Sequence, residues 1–307
     1  MFAELLRVVS FANGKGGVGK TSTATACAGL AAASGWKVLL IDSDVQGSCA
    51  DDLGYKDQSD DGRHLMEVLT EGAALHPVLR DVRPNLDVVC GGAALKEVDL
   101  KLVVKYMQNS ASPAILAEAL APIAPEYDII FIDTPPYAPT TLQLDLVASR
   151  WVVIPTKADK SSTTGLSNLA QELIKARALN PYLEVLGSVL FDIETGATVI
   201  RRDASAKIEQ ALGAAAPTFT SVIRHTTATS VSVRERGMLP HELAETIDSA
   251  EPFWKALSEG RKPKRVPGTA PALAEDYLLL CQEILTRIDE REREEELVSN
   301  GNGGVEK

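Results

Sequence analysis

Aromatic residues are few in this 307-residue chain, only 5%, although 45% of its residues are hydrophobic. The apolar content is carried mainly by Ala, Leu, Val and Ile, the composition of helices packed on a parallel sheet. Cysteine is scarce and scattered: Cys27, Cys49, Cys90 and Cys281 include no Cys-x-x-Cys pair, so their spacing signals neither a zinc nor an iron–sulfur site. Such thiols fit a reduced, cytoplasmic setting. No apolar run reaches the length of a membrane span, and the N-terminus lacks the pattern of a signal peptide. Positive charge is also in deficit, with a net charge of −11. That balance alone would argue against nucleic acid, but part of the excess acid sits in the run Asp289 to Glu296. The global figure therefore says little about local patches.

What the chain does have is Gly14-Lys15-Gly16-Gly17-Val18-Gly19-Lys20-Thr21. Arg7 to Ala12 before it reads as a short buried strand, and Ser22 to Ser34 after it, rich in Ala and Thr, reads as a helix. Strand, glycine loop and helix form the context of a phosphate-binding P-loop. The glycines let successive N–H groups face inward, and the helix N-terminus adds its positive dipole end. In that reading Gly14, Gly16, Gly17, Val18, Gly19, Lys20, Thr21 and Ser22 bind the nucleotide, with Lys20 on the β and γ phosphates and the Thr21 hydroxyl on Mg²⁺. Gly14-x-Gly16-x-x-Gly19 also satisfies a dinucleotide fingerprint, and the second strand ends in an acid, Asp42, about where a ribose-binding residue would lie. Two features favour a nucleoside triphosphate. Lys20-Thr21 follows the last glycine directly, and a second strand ending in an acid, Ile129 to Asp133, suits a hold on Mg²⁺.

Along the chain, Lys37 to Ile41 is a second strand that delivers Asp42-Ser43-Asp44 to the carboxyl edge of the sheet, where open parallel sheets bind ligands. Gln46 to Gly62 reads as a polar, solvated loop. His64 to Thr70 reads as a short helix, Leu86 to Cys90 as a strand, and Ser112-Pro113 as the start of a helix reaching Ile123. Thr134-Pro135-Pro136 is a stiff loop suited to sensing a γ phosphate. Strands at Trp151 to Pro155, Glu184 to Phe191 and Phe219 to Ile223 alternate with helices to Asn180 and over Val199 to Leu212. The expected fold class is α/β, a doubly wound, mainly parallel sheet flanked by helices, as in P-loop NTPases. The expected organisation is an ATPase domain over residues 1–258 with nothing preceding it, then a basic linker over 259–269. A C-terminal helix over 270–297 packs on the domain through Leu273, Tyr277, Leu280, Ile284 and Ile288, and a disordered tail follows over 298–307.

Lys15 is one lysine more than an ordinary P-loop needs. With it in view, the loop, Asp42-x-Asp44-x-Gln46-Gly47-Ser48 and Ile132-Asp133-Thr134-Pro135-Pro136 closely resemble the ParA/MinD family of deviant-Walker ATPases. The resemblance continues more loosely to about His241 and is nearest to the ParA-type (Soj-like) branch. It implies a Mg²⁺-dependent ATP hydrolase, weak without a partner, whose ATP-bound form is a homodimer. Lys15 would cross to the partner's phosphates, Asp44 would position the attacking water, and Thr21, Asp42 and Asp133 would serve the metal. It further implies non-specific binding to DNA, release through a ParB-like adaptor on a centromere-like site, and a nucleoid-associated, cytoplasmic protein. Arg201, Arg202 and Arg224 lie near where the family places basic contacts with DNA, while Thr226 to Thr229 stand where another arginine is common. The acidic C-terminal helix argues against a membrane-binding member, and the cysteines against an iron–sulfur member. Two alternatives stay open from sequence alone: the same switch positioning a cargo other than DNA, and a metabolic P-loop phosphotransferase.

Overall fold

The computed structural model describes all residues except 109, 137, 160–161, 195–201, 207, 209, 211–215, 248–257, 259–265 and 303–307, together with the side chains of 162–164 and 298–302. Most of the basic linker expected over 259–269 and the end of the expected tail therefore lie outside the described residues.

Eight strands form one sheet. They are β1 (Val8–Phe11), β2 (Val38–Asp42), β3 (Leu79–Arg83), β4 (Leu86–Val89), β5 (Ile129–Asp133), β6 (Trp151–Thr156), β7 (Glu184–Ile193) and β8 (Thr218–Arg224). Their order is β3-β4-β2-β5-β1-β6-β7-β8, and every neighbouring pair is parallel except β3 with β4. The central strands are buried on both faces, which is why they read as continuous apolar runs. On one face Val9, Phe11, Leu40, Phe131 and Val153 pack against α1 (Lys20–Ala33) and the C-terminal helix. On the other, Leu39, Ile41, Val89, Ile130 and Ile132 pack against α3 (Arg63–Glu71), α4 (Val98–Met107) and α5 (Ile115–Leu120), and Val152 and Ile154 against α6 (Pro139–Val147) and α7 (Ser162–Leu179). Residues one apart on a strand thus serve opposite layers, as the pleat requires.

Several sequence expectations change. Gln46 to Gly62 is not a plain solvated loop: it contains α2 (Cys49–Leu53), and Asp52 on it is buried, bonded by the Thr25 hydroxyl at 3.2 Å and by Arg234 at 3.4 Å. The helix expected from Ser112 to Ile123 is α5, six residues long. Beyond β8 come α8 (Thr227–Arg236), α9 (Pro240–Glu245) and α10 (Ala270–Asn302), the last running past residue 297, where the sequence suggested a tail.

Leu273, Tyr277, Leu280, Ile284 and Ile288 of α10 are all buried, and all lie in the layer shared with α1 and β8. Arg287 ties the helix to β7 and β8 through the carbonyls of Leu186 (3.0 Å) and Thr218 (3.1 Å), and Arg7 reaches Glu292 at 2.6 Å. The helix is part of the core and not an appendage. Truncating Ile284, which has no exposed surface, to alanine is expected to cost about 2–5 kcal/mol in a urea unfolding titration. A loss within the noise of a surface substitution would contradict that packing.

Candidate functional site

The loop between β1 and α1 owes its shape to glycine at two positions. Gly17 (φ 70°) and Gly19 (φ 91°) are left-handed. A Cβ on Gly19 would also lie 2.3 Å from the Phe191 ring, at the carboxyl end of β7. The start of the loop is pinned by Asn13, whose amide donates to the Pro155 carbonyl at 2.8 Å and whose Oδ1 accepts the Lys15 N–H at 3.0 Å. The Lys20 side chain is buried inside the loop, and its amine donates to the Lys15 carbonyl at 3.2 Å. Burial lowers the pKa of that amine, while Asp133 and Asp44 oppose the shift. The Lys15 amine points elsewhere, to the Asp159 carboxylate at 2.5 Å, beyond the end of β6. Two lysines five residues apart on one loop are thus held in different places.

The carboxylates arrive on neighbouring strands. β2 pairs with β5 so that Asp42 stands directly beside Asp133. Both are fully buried. Asp42 accepts the backbone N–H of Asp44 at 2.9 Å and of Cys49 at 3.2 Å. Burial nevertheless raises its pKa to about 7, with the Asp44 charge adding to the rise. Asp133 is pushed well above the carboxylate range by burial and then by Asp42, although the Thr21 hydroxyl bonds to it and Lys20 lies near. Its Oδ1 is buried without a hydrogen-bond partner among the described residues. Asp44 is buried too, and its Oδ1 accepts the Gln46 N–H at 3.0 Å. Gly91 closes the group: a Cβ there would lie 2.6 Å from the Asp42 carboxylate.

An orphaned buried carboxylate oxygen, a second acid beside it and a hydroxyl at the helix start are hard oxygen donors of the kind Mg²⁺ takes, directly or through water. Thr21, Asp42 and Asp133 therefore fit the ion. The raised acids also fix a pH dependence. A folded-state pKa above the unfolded one means that the native state binds the proton more tightly, so stability falls as pH rises between about 4 and about 7. Asp42→Asn is expected to flatten part of that fall in Mg²⁺-free thermal melts, Asp133 and Asp145 supplying the rest. An unchanged slope in the variant would contradict the assignment.

The basic residues expected at DNA are less gathered. Arg201 lies outside the described residues, as do Arg261, Lys262, Lys264 and Arg265. Arg202 is largely exposed, with Asp203 3.5 Å away. Arg224 forms a two-pronged pair with Asp276 of α10, both contacts 2.7 Å, and its backbone N–H adds a third at 2.9 Å. Other residues escaped the sequence reading. Ser43 donates to Asp145 at 2.9 Å, linking the loop after β2 to α6, and Phe191 and Cys49 border the phosphate loop and the acids. Ser43 sits inside a recognised motif and Cys49 directly follows it, so both could have been suspected. Asp145 carries no local signal.

Comparison with known proteins follows the same lines. A family model described as an AAA domain matches residues 6–185. The chain is 34% identical over 194 residues to the chromosome partitioning protein ParA of Caulobacter vibrioides, covering 62% of this chain and 71% of that one. It is 30% identical over 266 residues to the chromosome-partitioning ATPase Soj of Thermus thermophilus, covering 81% of this chain and 100% of Soj. Among solved structures, the septum site-determining protein MinD of Pyrococcus horikoshii, complexed with Mg-ADP, superposes with a TM-score of 0.62 at 21% identity, over 91% of this chain and 95% of that one. That last likeness speaks for the fold. With Soj matched along its whole length and the family model spanning the phosphate loop and both acidic strands, the chain belongs to the ParA/MinD family of P-loop ATPases.

Proposed function

We propose that this protein is a DNA-partition switch: an ATP-bound homodimer that holds DNA without sequence preference and lets go when an adaptor of the ParB type stimulates hydrolysis. The observation that carries the reading is the division of labour between Lys20, buried in its own phosphate loop, and Lys15, whose amine is directed away from that loop toward Asp159. A cation there is of little use to its own nucleotide, which supports a role at the nucleotide of a facing twin.

In this reading, the loop N–H groups and Lys20 hold the β and γ phosphates, and the tight fit of Gly19 under Phe191 keeps the loop closed. Thr21, Asp42 and Asp133 hold Mg²⁺, which when bound neutralises charge on the phosphate oxygens. Asp44 orients the attacking water, its carboxylate fixed by the Gln46 N–H. The partner's Lys15 completes the charge around the γ phosphate as the dimer closes. Switching follows because the γ phosphate is what both subunits share.

DNA contact is assigned to Arg201 and Arg202, of which Arg202 projects from the surface. Arg224, also expected there from the sequence, is engaged by Asp276 and serves to hold α10. The test is retention of the full chain on unrelated duplex DNA with ATP, ADP or no nucleotide, across a salt series. Retention is expected only with ATP and to weaken steeply with salt. Removing Arg201 and Arg202 together should make the salt slope shallower by about 2, about 1 per phosphate contact. Equal retention in all three nucleotide states would overturn DNA as the track and favour the same switch acting on another cargo.

A further inference from the structure

Cys49 opens α2 and sits against the two acids of the metal site. Its Sγ donates to Asp133 Oδ2 at 3.7 Å, its backbone N–H holds Asp42, and one donor atom from each of Asp42, Cys49 and Asp133 lies within 4.8 Å of the others. All three residues are buried, and Asp133 Oδ1 has no hydrogen-bond partner among the described residues. Mg²⁺ needs no sulfur and does not select for one. A zinc ion with one sulfur ligand at about 2.3 Å and one oxygen at about 2.0 Å places those atoms about 3.5 Å apart in a tetrahedron, close to the separation already present.

We propose that Asp42, Cys49 and Asp133 form a binding site for a thiophilic divalent cation of the zinc class, which needs no nucleotide and keeps Mg²⁺ and nucleotide out by taking the same carboxylates. On binding, the S–H bond of Cys49 breaks, its proton leaves to solvent and a sulfur–metal bond forms, with no change of oxidation state. The inference rests on the metal reading of these acids given above and differs in the ion. The other thiols are placed otherwise. Cys281 donates to the Cys27 carbonyl at 3.7 Å within the core layer, and Cys90 lies beside Ser59 and Asp60. A soft ion at this position would make the switch responsive to zinc-class metals as well as to nucleotide.

The test loads the metal-free full chain with one equivalent of Zn²⁺ and no nucleotide, and reads the ligands by X-ray absorption at the zinc edge. One sulfur neighbour is expected, the rest oxygen. Only oxygen or nitrogen neighbours in the unmodified protein would overturn the proposal, whatever the variants do. Cys49→Ser is expected to lose the sulfur neighbour and to weaken Zn²⁺ binding about tenfold or more, while Cys90→Ala keeps both. Sulfur persisting in Cys49→Ser would also overturn it. Thermal melts without metal identify any variant that fails to fold. Mg²⁺-dependent ATP binding, measured in parallel on the unmodified protein, separates the two readings. A zinc–sulfur site without ATP binding leaves the inference standing and removes the nucleotide function. ATP binding without a zinc–sulfur site does the reverse. Zn²⁺ is further expected to lower apparent affinity for Mg²⁺ and ATP, and no competition would overturn the shared use of the carboxylates.

Discussion

Replacing Lys15 by alanine is expected to lower ATP hydrolysis by about a thousandfold or more, the range in which a cation supplied by a partner acts in phosphoryl transfer, while ATP still binds. The two halves of that expectation come from different atoms. Binding depends on the loop N–H groups and on Lys20, whose amine is already inside the loop and bonded to the Lys15 carbonyl. That bond is to the backbone and survives the substitution. Under the proposed two-subunit site, hydrolysis depends on the Lys15 amine leaving the Asp159 carboxylate to reach a facing nucleotide. The pair is partly exposed, so parting it costs little. Single-turnover hydrolysis and equilibrium ATP binding, measured on the same preparation, check both halves. Loss of binding in parallel with turnover would place Lys15 in its own subunit's site.

Asp133→Asn is expected to divide stability from function. In the metal-free protein Asp133 carries a buried carboxyl with one unpartnered oxygen, beside Asp42 and near Asp44. Removing the ability to ionise there takes away the unfolded chain's preference for the free carboxylate, so the unliganded variant melts no lower than the parent at neutral pH. The response to ligand is where the effect is large. Mg²⁺ and ATP at a hundredfold excess over the dissociation constant stabilise a folded chain by about 2.7 kcal/mol, and the variant loses most of that gain because the Thr21 and Asp42 donors are left without their third member. A paired set of melts, with and without Mg²⁺ and ATP, reads both results at once. An undiminished shift in the variant would remove Asp133 from the metal site.

The site was far more legible in the sequence than the sheet's edges. Gly17 and Gly19 had to be glycine for backbone reasons, Lys20 and Thr21 had to follow them, and Asp42 and Asp133 each closed a wholly apolar strand, so local chemistry and position agreed. The outer strand of the edge hairpin was missed because β3, Leu79–Arg83, is half exposed and polar, without an apolar alternation. The turn that joins it to β4 uses Asn85 at positive φ after Pro84, a signal present but short. The helix α4 was missed for the opposite reason. Val98 to Met107 is mostly apolar and includes three β-branched valines, which lower helix propensity, and only Val98 and Leu102 of it are fully buried. Lys15–Asp159, Ser43–Asp145 and Arg224–Asp276 join residues far apart in sequence. No pattern within a window reports such pairs, and the last of them changes the part an arginine plays.

The most direct test of a shared, two-subunit site is to mix two inactive variants, Lys15→Ala and Asp44→Ala, and measure ATP hydrolysis of the mixture. In a mixed dimer, the Lys15→Ala subunit keeps its own Asp44 and receives Lys15 from its partner, so one complete site is rebuilt. With random pairing, half of the dimers are mixed and each holds one working site of two, so the mixture recovers about a quarter of the parent activity. Activity no higher than that of either variant alone would mean that Lys15 and Asp44 serve the same subunit's nucleotide, contradicting the account.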